Sequence, residues 1–117
     1  MQDSLIFKLK GNNYNLKFPN VGNYRQIQVN KHLLSNNTYK SLIATGQSSN
    51  QYASDMIDIE ATLLVLAPEQ FFKDLGSKSI SDMGIYDFGE LRKEYIEQIA
   101  PWWNSIEKAL GLYATED

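Results

Sequence analysis

The chain has 117 residues, of which 43% are apolar and 21% charged. That length and balance fit one globular domain and exclude a disordered tail. A net charge of -3 argues against nucleic-acid binding, which needs a basic footprint, and the absence of cysteine excludes disulfides, zinc–thiolate sites and cysteine nucleophiles.

The start, "MQDSLIFKLK", lacks the basic head and long apolar stretch of a signal peptide. The most apolar run, "ATLLVLA" at 61–67, is far shorter than the ~20 residues that cross a bilayer. The expectation is a soluble, unsecreted protein with no membrane partner.

"SLIFKLKGNNYNLKF" predicts a β-hairpin within residues 1–20. Leu5, Phe7 and Leu9 alternate with Ile6, Lys8 and Lys10; Tyr14, Leu16 and Phe18 alternate with Asn15 and Lys17. A Gly11-Asn12 turn pairs Leu9 with Tyr14, Phe7 with Leu16 and Leu5 with Phe18, and sets all six apolar residues on one face. Two strands are barely stable alone, so that face must lie on helices, or the edge must join another chain's sheet. Lysines at 8, 10 and 17 discourage casual edge pairing.

Residues 21–111 read as helical. "NYRQIQVNKHLLS" places Tyr24, Ile27, Lys31 and Leu34 on one face, with Leu33 alongside. "TYKSLIATG" suggests one or two helical turns ended by Gly46, and "QSSN" a polar loop. "NQYASDMIDIEATLLVLA" carries Met56, Ile57, Leu63, Leu64 and Ala67 on a stripe that widens toward its end, as in a central helix. Ser49 or Asn50 is its candidate cap. Pro68 stops this helix or starts "PEQFFKDL", which Gly76 ends. Asp87 and Glu90 have capping-box spacing ahead of "FGELRKEYIEQIA", where Phe88, Leu91, Tyr95 and Ile99 face inward with Ile96 beside them. Pro101 either kinks that helix or begins a new one, which stops at Gly111. The tail "LYATED", residues 112–117, is ordered only if docked. The predicted fold class is α+β, mostly α: one domain with an N-terminal two-stranded antiparallel hairpin packed on four to five helices.

The catalytic inventory is thin. His32 is the sole histidine and sits near a helix end, without an evident orienting partner or nucleophile. Asp55 and Asp58 lie three apart on one helical face, a spacing open to metal binding or acid–base work. The plainer reading makes them the wet face of an apolar helix, with Asp55 favoured by the dipole of the first turn. "GSKS" at 76–79 lacks the full spacing of a phosphate loop, and "SLIATG" lacks a nucleophile elbow. No catalytic residue, cofactor or metal is assigned, and no enzymatic activity is expected.

"PWWNSI" is the more informative stretch. Adjacent helical residues point about 100° apart, so Trp102 and Trp103 cannot both aim at one core centre. Either the helix is wrapped on two sides by its own chain, or one indole faces a partner. Aromatic residues make up 12% of the chain, including seven tyrosines, which favours an assembly component. The candidate protein-contact residues are Trp102, Trp103, Tyr113, Ile6 on the outer hairpin face, and Tyr52.

The order "FKLKGNNYNLKFP", "VGNYRQIQV", "MIDIEATLLVLAP", "ELRKEYIEQIAPWWNSI" resembles small structural and morphogenesis proteins of tailed bacteriophages. These include auxiliary virion proteins and tail-assembly chaperones. The resemblance is one of layout over most of the chain, and no functional residue is carried across. It implies a virion component, assembled in the host cytoplasm, whose partners are other phage structural proteins and, in a homo-oligomer, further copies of itself. The alternative is a chaperone that leaves before the particle is finished.

Overall fold

The computed structural model describes residues 4–36, 38–39, 48–76 and 79–111, with residues 48–50 described by backbone alone. An antiparallel hairpin of β1 (Leu5–Leu9) and β2 (Asn12–Leu16) precedes α1 (Val21–Leu34), α2 (Ser48–Leu66) and α3 (Glu69–Leu75). A 3-10 turn (Ile80–Asp82) leads to α4 (Ile85–Glu94), a π-helical turn (Tyr95–Ile99) and α5 (Ala100–Ala109). The architecture is α+β and mostly α, as the residue pattern predicts.

The hairpin forms with a register different from the expected one. Phe7 pairs with Tyr14 and Leu5 with Leu16, closing a two-residue Lys10-Gly11 turn. Both turn residues have positive φ, 51° at Lys10 and 82° at Gly11, the signature of a turn whose twist matches the strands. Placing glycine second rather than first costs about 1 kcal/mol at the left-handed Lys10. The shift is two residues, so the parity of the faces survives. Phe7, Leu9, Tyr14 and Leu16 are buried and Leu5 is partly buried. Phe18 falls beyond the strand.

Asn20 caps α1 through a reciprocal pair: its side chain accepts from the Asn23 N–H at 2.7 Å, and Asn23 accepts from the Asn20 N–H at 3.1 Å. Of the expected apolar face only Ile27 is fully buried; Leu33 and Leu34 are exposed. Helix α2 begins at Ser48, so the polar "QSSN" stretch is largely helical and Asp55 lies in the third turn rather than the first. The proposed caps Ser49 and Asn50, and all of the "TYKSLIATG" stretch beyond Thr38 and Tyr39, lie outside the described side chains. Ile59 to Leu63 are buried without a break, which makes α2 the central helix; Met56 and Leu64 instead reach the surface. Glu60 is buried there and accepts from the Ser79 and Ser81 hydroxyls at 2.6 and 3.0 Å, tying the 3-10 turn to α2.

Pro68 is the N-cap of α3, and Gly76 ends it at φ 72°. Phe71 fits beneath the sheet, edge-on to Tyr14 at 5.2 Å. The Asp87–Glu90 capping box does not form, because α4 starts earlier, after Gly84. Both acids instead approach Lys10, at 3.3 and 3.7 Å, across the hairpin turn. Phe88, Leu91, Tyr95 and Ile99 are buried as expected, while Ile96 is exposed. Helix α4, the π-helical turn and α5 run on as one rod, which Pro101 neither splits nor stops. Proline lacks an N–H and crowds the carbonyl four residues back. The preceding turn widens, with the Ala100 N–H reaching the Tyr95 carbonyl five residues back, and helical dihedrals continue through Ile99 and Ala100.

The two indoles are both inside, each 7% exposed. The rod is wrapped on two sides by the chain's own N-terminal half. Phe18 stands edge-on to Trp102 at 6.4 Å, and Tyr24 stacks on Trp103 at 5.6 Å with 11° between the planes. Removing either indole leaves a large void, so Trp102→Ser and Trp103→Ser are each expected to lower stability by about 3–5 kcal/mol. Trp102→Phe is expected to cost much less, since the Trp102 indole N–H has no acceptor among the described residues to lose. Urea unfolding measures all three; an unchanged midpoint in a serine variant would place that indole outside the core.

Candidate functional site

Two kinds of site compete. The first is a polar cleft of about 320 Å³ between α2, the rod and the end of α1, and it contains Asp55 and Asp58. Asp55 Oδ2 accepts a hydrogen bond from Arg92 Nε at 2.9 Å and lies 2.8 Å from a terminal nitrogen of the same guanidinium. Arg92 also lies over the Tyr52 ring, 4.4 Å from its centroid. Asp58 Oδ1 accepts the Tyr39 hydroxyl and lies 3.4 Å from Lys31 Nζ. The two acids are therefore partly buried and ion-paired, not the wet face of α2.

Burial raises the Asp58 carboxyl above its ordinary 3.8, against the opposing pull of Lys31 and of the Tyr39 hydroxyl. Burial, followed by the Asp58 carboxylate, pushes the Tyr39 phenol far above 10.0. Tyr95, beside them and bonded to Thr62, is also raised by burial. This chemistry is that of a closed network, in which each carboxylate holds a cation supplied by the chain. Among the described residues, no group of three or more His, Asp or Glu side chains is arranged to hold a metal ion. His32 is exposed in the last turn of α1.

The second kind of site is apolar surface. Where the hairpin leads into α1, beside the end of α5, a groove of about 330 Å³ is lined by Phe18, Val21, Tyr24, Ile106 and Leu110. Val21 is 77% exposed and Leu110 53%. A smaller groove of about 160 Å³ lies between α2 and the start of α4, where Met56, Ile85 and Phe88 meet Leu34 of α1. Soluble chains scatter single apolar side chains on their surfaces; clusters of them around a groove mark contact sites.

The residues singled out from sequence do not converge. Trp102 and Trp103 are core, floor rather than face. Ile6 is 49% exposed on the outer side of the hairpin, and Tyr52 is 50% exposed against Arg92. Tyr113 lies outside the described residues. Val21 and Leu110 were missed, although each had a signal: Val21 follows the Asn20 cap, and Leu110 adjoins the stop at Gly111. Apolar residues at helix ends have half a turn of covering neighbours.

No helix among the described residues is long and apolar enough to cross a membrane. No family model, curated protein or solved structure matches the chain.

The cleft predicts a pH dependence of stability. Asp58 and Tyr39 both bind their protons more tightly folded than unfolded. Their contributions are complete below the unfolded values and are lost as pH rises through the folded ones. Asp58→Asn should therefore gain on the wild type as pH rises from about 3.8. Tyr39→Phe should flatten the loss of stability that starts above about pH 10. Urea midpoints across pH test both; parallel curves for wild type and variants would remove these groups from the linkage.

Proposed function

We propose that the chain is a non-enzymatic structural component of a tailed bacteriophage particle, an auxiliary capsid or tail/connector protein acting through protein–protein contacts. The observation that carries this reading is the apolar groove at the meeting of the hairpin exit, α1 and α5, with Val21 and Leu110 standing out at its rim. Apolar area left in water is a standing cost that a neighbouring protein surface relieves. The order of hairpin, helices and "PWW" rod supports the phage assignment by its resemblance to small morphogenesis proteins. The closed ion pairs around Asp55 and Asp58 support the absence of chemistry in the polar cleft.

A rigid particle multiplies weak contacts by symmetry, so each copy needs only modest grooves. The same surface suits a tail-assembly chaperone, which covers a partner for a time and then leaves. Mass spectrometry of purified particles separates the two. A stoichiometric amount of the chain is expected in finished particles. Its presence in infected cells with absence from particles would leave the chaperone. Val21→Asp and Leu110→Asp are expected to keep the fold and to reduce incorporation about tenfold or more, the loss of roughly 1.4 kcal/mol or more of contact energy. Normal incorporation of both variants would move the contact elsewhere.

A further inference from the structure

The two edges of the hairpin are treated differently. On β1, the Lys8 N–H donates to Gln98 Oε1 at 2.8 Å, and Gln98 Nε2 donates to the Lys8 carbonyl at 2.8 Å. At Lys8 the amide of Gln98 thus takes the place of a neighbouring strand, and Ile6 is the one other outward residue of that edge. Because both Lys8 groups point away from β2, alternation fixes the opposite edge: Lys8 faces Asn13 and Ile6 faces Asn15, so Asn13 and Asn15 send their N–H and C=O groups outward from β2. At the end of that edge the Lys17 N–H reaches the Leu66 carbonyl at 3.3 Å. Between the turn and Lys17, no hydrogen bond from the described residues engages the outward backbone of Asn13 or Asn15, and both residues are exposed. An unpaired strand edge is a template for another strand.

We propose that this edge pairs with the β2 edge of a second copy of the chain, antiparallel about a two-fold axis at Tyr14, so that two hairpins form one four-stranded sheet. The open stretch is three residues, Asn13-Tyr14-Asn15, and read backwards it is its own complement. Asn13 of each copy meets Asn15 of the other, and four backbone hydrogen bonds satisfy all the outward groups. A longer foreign strand gains no more, because the Lys10-Gly11 turn bounds the edge on one side and the Lys17–Leu66 bond on the other. Self-pairing also places no charge opposite a like charge at the paired positions, and Lys10 is already engaged by Asp87 and Glu90. Tyr14 needs no rearrangement, since its ring is buried and its hydroxyl donates to Asp74 at 2.7 Å. A four-stranded sheet passes the minimum at which strands support one another, which two strands do not reach. The pairing is isologous and closes at a dimer: on β1 Gln98 already holds the outward groups of Lys8, and the single outward residue left there, Ile6, offers no comparable stretch to a further strand. It rests on the strand edge alone and not on membership of a particle.

The test is sedimentation equilibrium over a wide concentration range, with amide hydrogen exchange at both ends of that range. The wild type should form a dimer, and the Asn13 and Asn15 amides should become protected as the dimer fills. Asn15→Pro removes an outward N–H that the hairpin does not use, and should raise the dissociation constant about tenfold or more. Asn15→Ala keeps the backbone and should leave dimerisation nearly unchanged. A monomer at every concentration overturns the proposal. So does a dimer in which the two amides exchange as fast as in the monomer, or one that Asn15→Pro leaves intact. If the proline variant fails to fold, the amide protection in the wild type still decides.

Discussion

Two large rings set side by side on one helix must be covered from two directions, and the rest of this molecule follows from how that is done. The Trp102–Trp103 pair is roofed by Phe18 on one side and Tyr24 on the other. Those two residues flank the entry to α1, so the C-terminal rod is locked to the N-terminal quarter of the chain. Tyr24 adds a hydroxyl bond to Glu107 at 3.0 Å, one turn beyond Trp103. Gln98, one turn before Trp102, holds the β1 backbone. The rod therefore grips the hairpin and α1 within three of its turns. Each aromatic pair is worth about 0.5–1.5 kcal/mol beyond the area it buries. The rod can present both indoles inward because the π-helical turn before Pro101 keeps it continuous.

The polar cleft and the apolar grooves follow from the same closure. Helix α2 runs through the middle and is buried all round from Ile59 to Leu63, so its polar residues concentrate nearer its start. There Asp55 and Asp58 face α4 and α1, which supply Arg92 and Lys31. Breaking a partly buried pair by removing one partner leaves a charge uncompensated, whereas the intact pair adds little net stability. That arrangement fits a specificity device that fixes how three helices meet. The apolar surplus collects elsewhere, at the ends of α1, α4 and α5, where half a helical turn has no successor to cover it.

The hairpin shows how a small sheet manages exposure. One edge is capped at Lys8 by a side-chain amide and the end of the other is tethered to the last turn of α2. Its inner face rests on Phe71 and the rod, while Lys8, Asn13 and Asn15 keep its outer face wet. Such a sheet owes its stability to the helices beneath it rather than to its own ladder.

Local chemistry was legible from the sequence, and the relations between distant segments were not. Alternation fixed the buried face of the hairpin, because a period of two is a property of the strand itself. It did not fix the register, since a shift of two residues preserves every face and only the turn dihedrals choose between registers. Proline and glycine marked the limits of α3, and glycine the end of α5, because their effects are confined to one residue's backbone. The spacing of Phe88, Leu91, Tyr95 and Ile99 identified the inward face of the rod for the same reason. The adjacency of the tryptophans posed the question of a partner or a double-sided wrap; that Phe18 and Tyr24 supply the wrap is a contact across some eighty residues, which no local pattern encodes. The same holds for Asp55 and Asp58, whose spacing is written in α2 but whose cations arrive on α4 and α1. Sequence determined which side chains each element can bury or charge, through the geometry of a single helix or strand. Tertiary structure alone decided which of them meet, because packing joins surfaces that the chain keeps far apart.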